Sequence, residues 1–173
     1  MTDYVSGLIA DWNRERPELD TSSMEVINRL LRASQILQNR LDSVATVHGL
    51  SHKGDLDVLT ALRRSGPSYE LSPTSLARGA QLTSGGMTSR LDRLEAQGLV
   101  SRRPDPTDRR GVLVGLTEDG RRTADAAFDD LLAVEDGMLL ALSETQRQIL
   151  ATELEQLLFS LGDRSEPSAN STP

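Results

Sequence analysis

Apolar residues recur at three- and four-residue steps through most of the chain, and that spacing predicts helices. Tyr4, Val5, Leu8, Ile9 and Trp12 share one side of a helix over Thr2–Asn13, which Pro17 ends. Val26, Ile27, Leu30, Leu37, Leu41 and Val44 line a longer helix up to about Val47, before Gly49. Ser22 and Glu25 match a capping box at its start. Leu56, Leu59 and Leu62 face inward from a helix capped by Ser51 and running to about Arg64. Ser72 followed by Pro73 predicts a short helix over Pro73–Ala80. Gln81-Leu82-Thr83 is then a tight connection into a second helix over Ser84–Gln97, a pair that fits a helix-turn-helix. Gly98 ends it.

Between Leu99 and Leu116 the pattern changes. Leu99–Arg103 and Gly111–Leu116 are strand-like, and Pro104 and Pro106 bound the loop between them. Thr117, with Glu118 and Asp119 after it, starts a helix to about Leu142. Ser143 and Gln146 form a second capping box for a helix to about Leu161. The fold class is mainly α with a small β-wing: a winged helix-turn-helix with long N- and C-terminal helices. The expected divisions are an extra helix and linker at 1–20, dimerisation helices at 21–48 and 117–162, a DNA-binding winged helix at 50–116, and a disordered tail at 163–173.

Composition narrows the chemistry. The 173 residues include no cysteine, which excludes disulfides, thiolate metal sites and thiol redox switching. His48 and His52 have no third ligand in view, so neither a metal nor a cofactor is expected. The first twenty residues lack a secretory pattern, and no apolar run spans a bilayer, so a cytoplasmic chain away from membranes is expected. No nucleophile–base pair or Gly-rich phosphate loop points to an enzyme.

The formal charge of -7 hides an uneven distribution. Residues 76–122 hold nine basic and six acidic side chains, a local +3. Four arginines fall in the nine residues from Arg102 to Arg110. An arginine-rich hairpin beside a short helix suits double-stranded DNA, since local field governs such binding. The N-terminal positions of the second helix, Ser84, Gly85, Thr88 and Ser89, are placed to meet base edges. Gly85 and Gly86 permit either close backbone approach to DNA or tight helix packing. Arg93, one turn beyond Ser89, can reach a phosphate or a guanine. Ser72 and Thr74 suit phosphate contacts at a helix start. Arg109 and Arg110 suit phosphates or the minor groove, and Asp108 beside them would hold the tip in shape. A wing used only for protein contacts is the alternative, but it would carry a more apolar tip. The apolar faces of the terminal helices exceed what a small winged helix can cover, which predicts a homodimer.

The run RLDRLEAQGLVSRRPDPTDRRGVLVGLTEDG, with the wing motif Asp108-Arg109-Arg110, resembles the winged helix of MarR-type transcription regulators over about Ser22–Leu161. The resemblance implies a triangular homodimer on a pseudo-palindromic operator, and repression relieved by a small ligand. Trp12, the run from Asp57 to Pro67, and SGGMTSRLDRL around Arg90 are similar to the urate-responsive, PecS-like branch. That similarity implies an anionic purine effector such as urate. Trp12 would stack on it, Arg90 would pair with its oxygens, and Asp57 would sense its charge. Trp12 as an anchor of its helix, Asp57 as a helix-start carboxylate and Arg90 as a phosphate contact remain open, as does another aromatic or phenolic ligand. The lack of cysteine argues against the thiol-oxidation sensors of this family.

Overall fold

The first helix, α1 (Tyr4–Glu15), begins where the Asp3 carboxylate accepts the Ser6 amide at 2.8 Å. Arg29 on the second helix, α2 (Ser22–Val47), donates to the same carboxylate at 2.7 Å. These donors, Arg29 first, hold the Asp3 carboxyl down at about 2. Val5 and Ile9 are buried on α1, so the two helices join through apolar and ionic contacts together. The computed structural model describes residues 2–79 and 84–164 of the chain. The expected connection Gln81-Leu82-Thr83 and the tail from residue 165 lie outside the described residues.

Two expected caps are replaced. Thr21, not Ser22, is the N-cap of α2, and the capping box does not form. The Ser22 amide donates to Asp20 at 2.9 Å, while Glu25 is drawn to Arg29 one turn along. The N-cap of the third helix, α3 (Lys53–Arg63), is His52 rather than Ser51. The Ser51 amide instead donates to the Asp55 carboxylate at 3.1 Å.

The core gathers around α3. Leu56, Leu59 and Leu62 are fully buried there. Leu76 of α4 (Pro73–Gly79), and Met87, Leu91 and Leu94 of α5 (Ser84–Ala96), are buried as well. Each such side chain contributes about 1.5–3 kcal/mol on leaving water. Val100 of β2 (Val100–Pro104), Val114 of β3 (Val112–Leu116), and Ala124 and Ala127 of α6 (Glu118–Met138) close the same core.

The sheet is antiparallel, in the order β1-β3-β2, where β1 is Glu70–Leu71. Val100 pairs with Leu116 and Pro104 with Val112, while Glu70 pairs with Gly115. The two-residue β1 carries no periodicity, so the sequence pattern does not predict it. Gly98, at φ +72°, turns the chain from α5 into β2. Gly120 opens α6 against β2; a Cβ there would lie 1.8 Å from the Leu99 carbonyl oxygen. The Thr117 hydroxyl accepts the Gly120 amide at 2.9 Å and caps this helix.

Two compact units divide at Leu132. The second holds α7 (Glu144–Ser160), whose capping box forms: Ser143 accepts the Gln146 amide, and Gln146 returns the bond at 2.9 Å. Ile149, Leu150, Leu158 and Phe159 of α7 are exposed. No described helix is long and apolar enough to cross a membrane.

Arg103 of β2 grips Glu70 of β1 through two bonds of 2.6 Å. This guanidinium holds the Glu70 carboxyl below its ordinary range. Because the folded value is depressed, the pair's contribution is present above the unfolded pKa and lost as pH falls through the folded one. Glu70→Gln should therefore cost about 0.2–1 kcal/mol in urea unfolding at pH 7. That difference from the wild type should shrink towards zero below the carboxylate range.

Candidate nucleic-acid interface

Helix α5 has two opposed faces. Met87, Leu91 and Leu94 are buried at helical spacing, while Gly86, Thr88 and Ser89 are exposed. The helix therefore presents small hydroxyl side chains outward on a backbone anchored from behind. The side chains of Ser84 and Gly85 lie outside the described residues. On α4, the Ser72 hydroxyl accepts the Ser75 amide at 3.2 Å and donates to the Ser75 hydroxyl at 3.0 Å. Thr74 beside it is exposed.

The arginines of this segment divide by partner. Arg102 donates to Glu95 at 2.8 Å and to Asp92 at 2.7 Å, tying β2 to α5. The Arg102 amide also donates to Glu95, at 3.2 Å. Arg103 is held by Glu70. At the tip, the Arg110 amide donates to the Asp108 carboxylate at 2.9 Å, and Asp105 accepts the amide and hydroxyl of Thr107 at 2.8 and 2.7 Å. A Cβ on Gly111 would come within 2.9 Å of Asp105, so the tip is tightly folded. Arg109 and Arg110 are exposed there, and among the described residues their side chains make no ion pair. The hairpin shape is thus maintained by carboxylates, and two guanidinium groups are left facing solvent.

Arg90 and Arg93 both reach back to α3, Arg93 with its side chain still 40% exposed. Both donate to Oδ1 of Asp55, at 3.0 and 3.1 Å. Asp55 is 2% exposed, and the Arg90 side chain is 14% exposed. Arg93 also donates to the Ser89 hydroxyl at 3.1 Å. The guanidinium expected to reach DNA is therefore engaged with the protein on both sides.

The three residues expected at an effector are dispersed in their contacts. Trp12 lies half-exposed on α1. Asp57 accepts from Lys53 at 2.6 Å, one turn back on α3. Arg90 belongs to Asp55. Among the described residues, no hydrogen bond or ion pair joins Trp12, Asp57 and Arg90.

Sequence reading favours Asp57 over Asp55, although a signal for Asp55 is present. Asp55 stands four residues before Leu59 and seven before Leu62, on the stripe that enters the core. A carboxylate on that stripe demands a cation from another element. Glu70, Asp92 and Glu95 carry no comparable signal, because each depends on an arginine of another element brought near by folding.

Several known proteins are similar to this chain. A profile of the MarR family matches residues 48–111. The chain is 35% identical over 154 residues to the HTH-type transcriptional regulator PecS of Dickeya dadantii, covering 89% of this chain and 90% of that protein. The crystal structure of Sco5413, a MarR family transcriptional regulator from Streptomyces coelicolor, superposes with a TM-score of 0.73 at 31% identity, covering 85% of this chain and 100% of that one. Sco3205 from the same organism, solved in complex with DNA, has a TM-score of 0.72 at 23% identity, covering 88% of this chain and 97% of that one, a likeness of fold. By its winged helix, its solvent-facing wing arginines and these likenesses, the chain belongs to the MarR family of DNA-binding transcription regulators.

Proposed function

We propose that the chain is a cytoplasmic repressor that binds a pseudo-palindromic operator as a homodimer and leaves it when a small anionic ligand binds. The supporting observation is the joint presentation of Thr88 and Ser89 on α5 with Arg109 and Arg110 on the wing tip. Ion pairs from Arg102 to Asp92 and Glu95 fix the distance between these two parts. In this reading Thr88 and Ser89 meet base edges, with Ser84 and Gly85 at the start of the helix. Thr74 and the capped turn at Ser72 approach phosphate. Arg109 and Arg110 enter the minor groove or hold its phosphates, and Asp108 shapes the tip. Arg93 orients Ser89 rather than reaching outward.

Residues 50–116 form the DNA-binding part in this proposal, and 21–48 with 117–162 the dimerisation part. Exposed apolar side chains support the second assignment: Val26, Ile27, Leu31, Ile36 and Leu37 on α2, and Ile149, Leu150 and Phe159 on α7. A two-fold dimer would place its two reading helices about 34 Å apart, one turn of DNA.

The effector in this reading is urate or a related purine. Its planar anion suits the fork of Arg90 and the flat ring of Trp12. Asp57, next to Lys53, would register the added charge. A second reading, an aromatic or phenolic acid, is favoured by a different crevice. That cavity of about 290 Å³ is lined by Thr60, Arg63, Arg64, Ala124, Asp125 and Phe128, and by none of the three purine candidates.

Two outcomes test these readings. A duplex selected by the protein from a randomised pool should bind tightly at low salt and weaken steeply as salt rises, measured by fluorescence anisotropy. Arg109→Ala with Arg110→Ala should reduce the slope of log affinity against log salt by about 0.9 for each phosphate no longer neutralised. Failure of the wild type to bind DNA at low salt contradicts the regulator reading. In calorimetry without DNA, urate should bind the wild type, and Arg90→Ala should weaken it at least tenfold. Heat with phenolic acids alone, abolished in Phe128→Ala, moves the effector to the second crevice.

A further inference from the structure

We propose that Gly54 and Asp55 are positioning residues for DNA recognition: together they form the seat that sets how α5 lies against α3. The inference rests on α5 as the DNA-reading helix and concerns what orients it.

Both Asp55 oxygens are committed. Oδ1 accepts from Arg90 and Arg93, and Oδ2 accepts the Ser51 amide. Among the described residues Asp55 is the buried charged side chain of this core. Its two arginines stand three residues apart on α5 and so share one side of the helix. Gly54 supplies the second half of the seat. A Cβ at this position would lie 2.4 Å from Nη1, 2.8 Å from Cζ and 3.0 Å from Nη2 of Arg90. The guanidinium therefore rests against bare backbone, in space that no other residue type leaves open. Among the described residues the buried Nε atoms of Arg90 and Arg93 have no hydrogen-bond partner, so each guanidinium is held through its Nη atoms. From this seat Arg93 continues to the Ser89 hydroxyl at 3.1 Å. A chain of contacts thus runs from the α3 backbone to a residue of the DNA-facing surface. Lys53 and Asp57, the neighbouring charges on α3, pair with each other and leave Asp55 to the α5 arginines.

Gly54→Ala tests the seat. Alanine is the better helix former, and the atoms it would meet are the far end of a flexible side chain, so the fold is retained. The variant should bind the wild-type-selected duplex at least tenfold more weakly in fluorescence anisotropy, while still unfolding in a single cooperative transition. Arg93→Gln is the second variant, since Arg93 is partly exposed and its removal leaves Arg90 on Asp55. It should also weaken binding about tenfold, yet leave the salt slope unchanged, because Arg93 orients Ser89 and touches no phosphate. Wild-type affinity in Gly54→Ala overturns the proposal. So does a salt slope reduced by about 0.9 in Arg93→Gln, the mark of a direct phosphate contact. Absence of DNA binding by the wild type would instead sink the underlying regulator reading.

Discussion

A carboxylate taken into an apolar core costs several kcal/mol unless cations and amides surround it. Asp55 is such a group, set among leucines that would otherwise make an ordinary core, and its neutralisation comes from α5. The requirement is mutual. Arg90 cannot be withdrawn without leaving a buried charge short of partners, and α5 cannot roll on its apolar face without withdrawing Arg90. Apolar burial of Met87, Leu91 and Leu94 gives this helix its adhesion but little directional preference. The ion cluster supplies direction. Arg102 does the same from the other side, because Asp92 and Glu95 belong to α5 and Arg102 to β2. One helix is thereby fixed to the core and to the wing by charges at both flanks.

This arrangement explains the local excess of arginine. Arg90, Arg93, Arg102 and Arg103 are answered by carboxylates of Asp55, Asp92, Glu95 and Glu70. Those carboxylates tie the arginines to neighbouring elements. Arg109 and Arg110 remain exposed at the tip, where the hairpin narrows and its own carboxylates bind backbone amides. The tip thus offers two solvent-facing guanidinium groups as directional donors, with Asp105 and Asp108 beside them.

Local chemistry was legible in the sequence, and chemistry between elements much less so. The capping box at Ser143 forms because its two members need only each other. The same pattern at Ser22 fails because Arg29 draws Glu25 away and also reaches Asp3, which caps another helix. Helices α1 to α7 and the two wing strands follow from periodicity and from Gly, Pro and Ser signals. Strand β1 does not, since two residues display no period and exist as a strand only beside β3. At the candidate site, the two short helices and the wing were visible in order and composition. Which arginines look outward was not visible, because that depends on carboxylates 7 to 38 residues away in the chain, as between Glu95 and Arg102 or Asp55 and Arg93.

In the proposed complex, α5 and the wing contact DNA as one unit at adjacent grooves. Footprinting of the selected duplex, with a methylation probe for major-groove guanines and a hydroxyl radical for minor-groove sugars, tests it most directly. The account predicts major-groove protection flanked by minor-groove protection in each half-site. Replacing Arg109 and Arg110 by alanine should erase the flanking protection alone. Protection confined to one groove, or flanks that persist without the wing arginines, would contradict it.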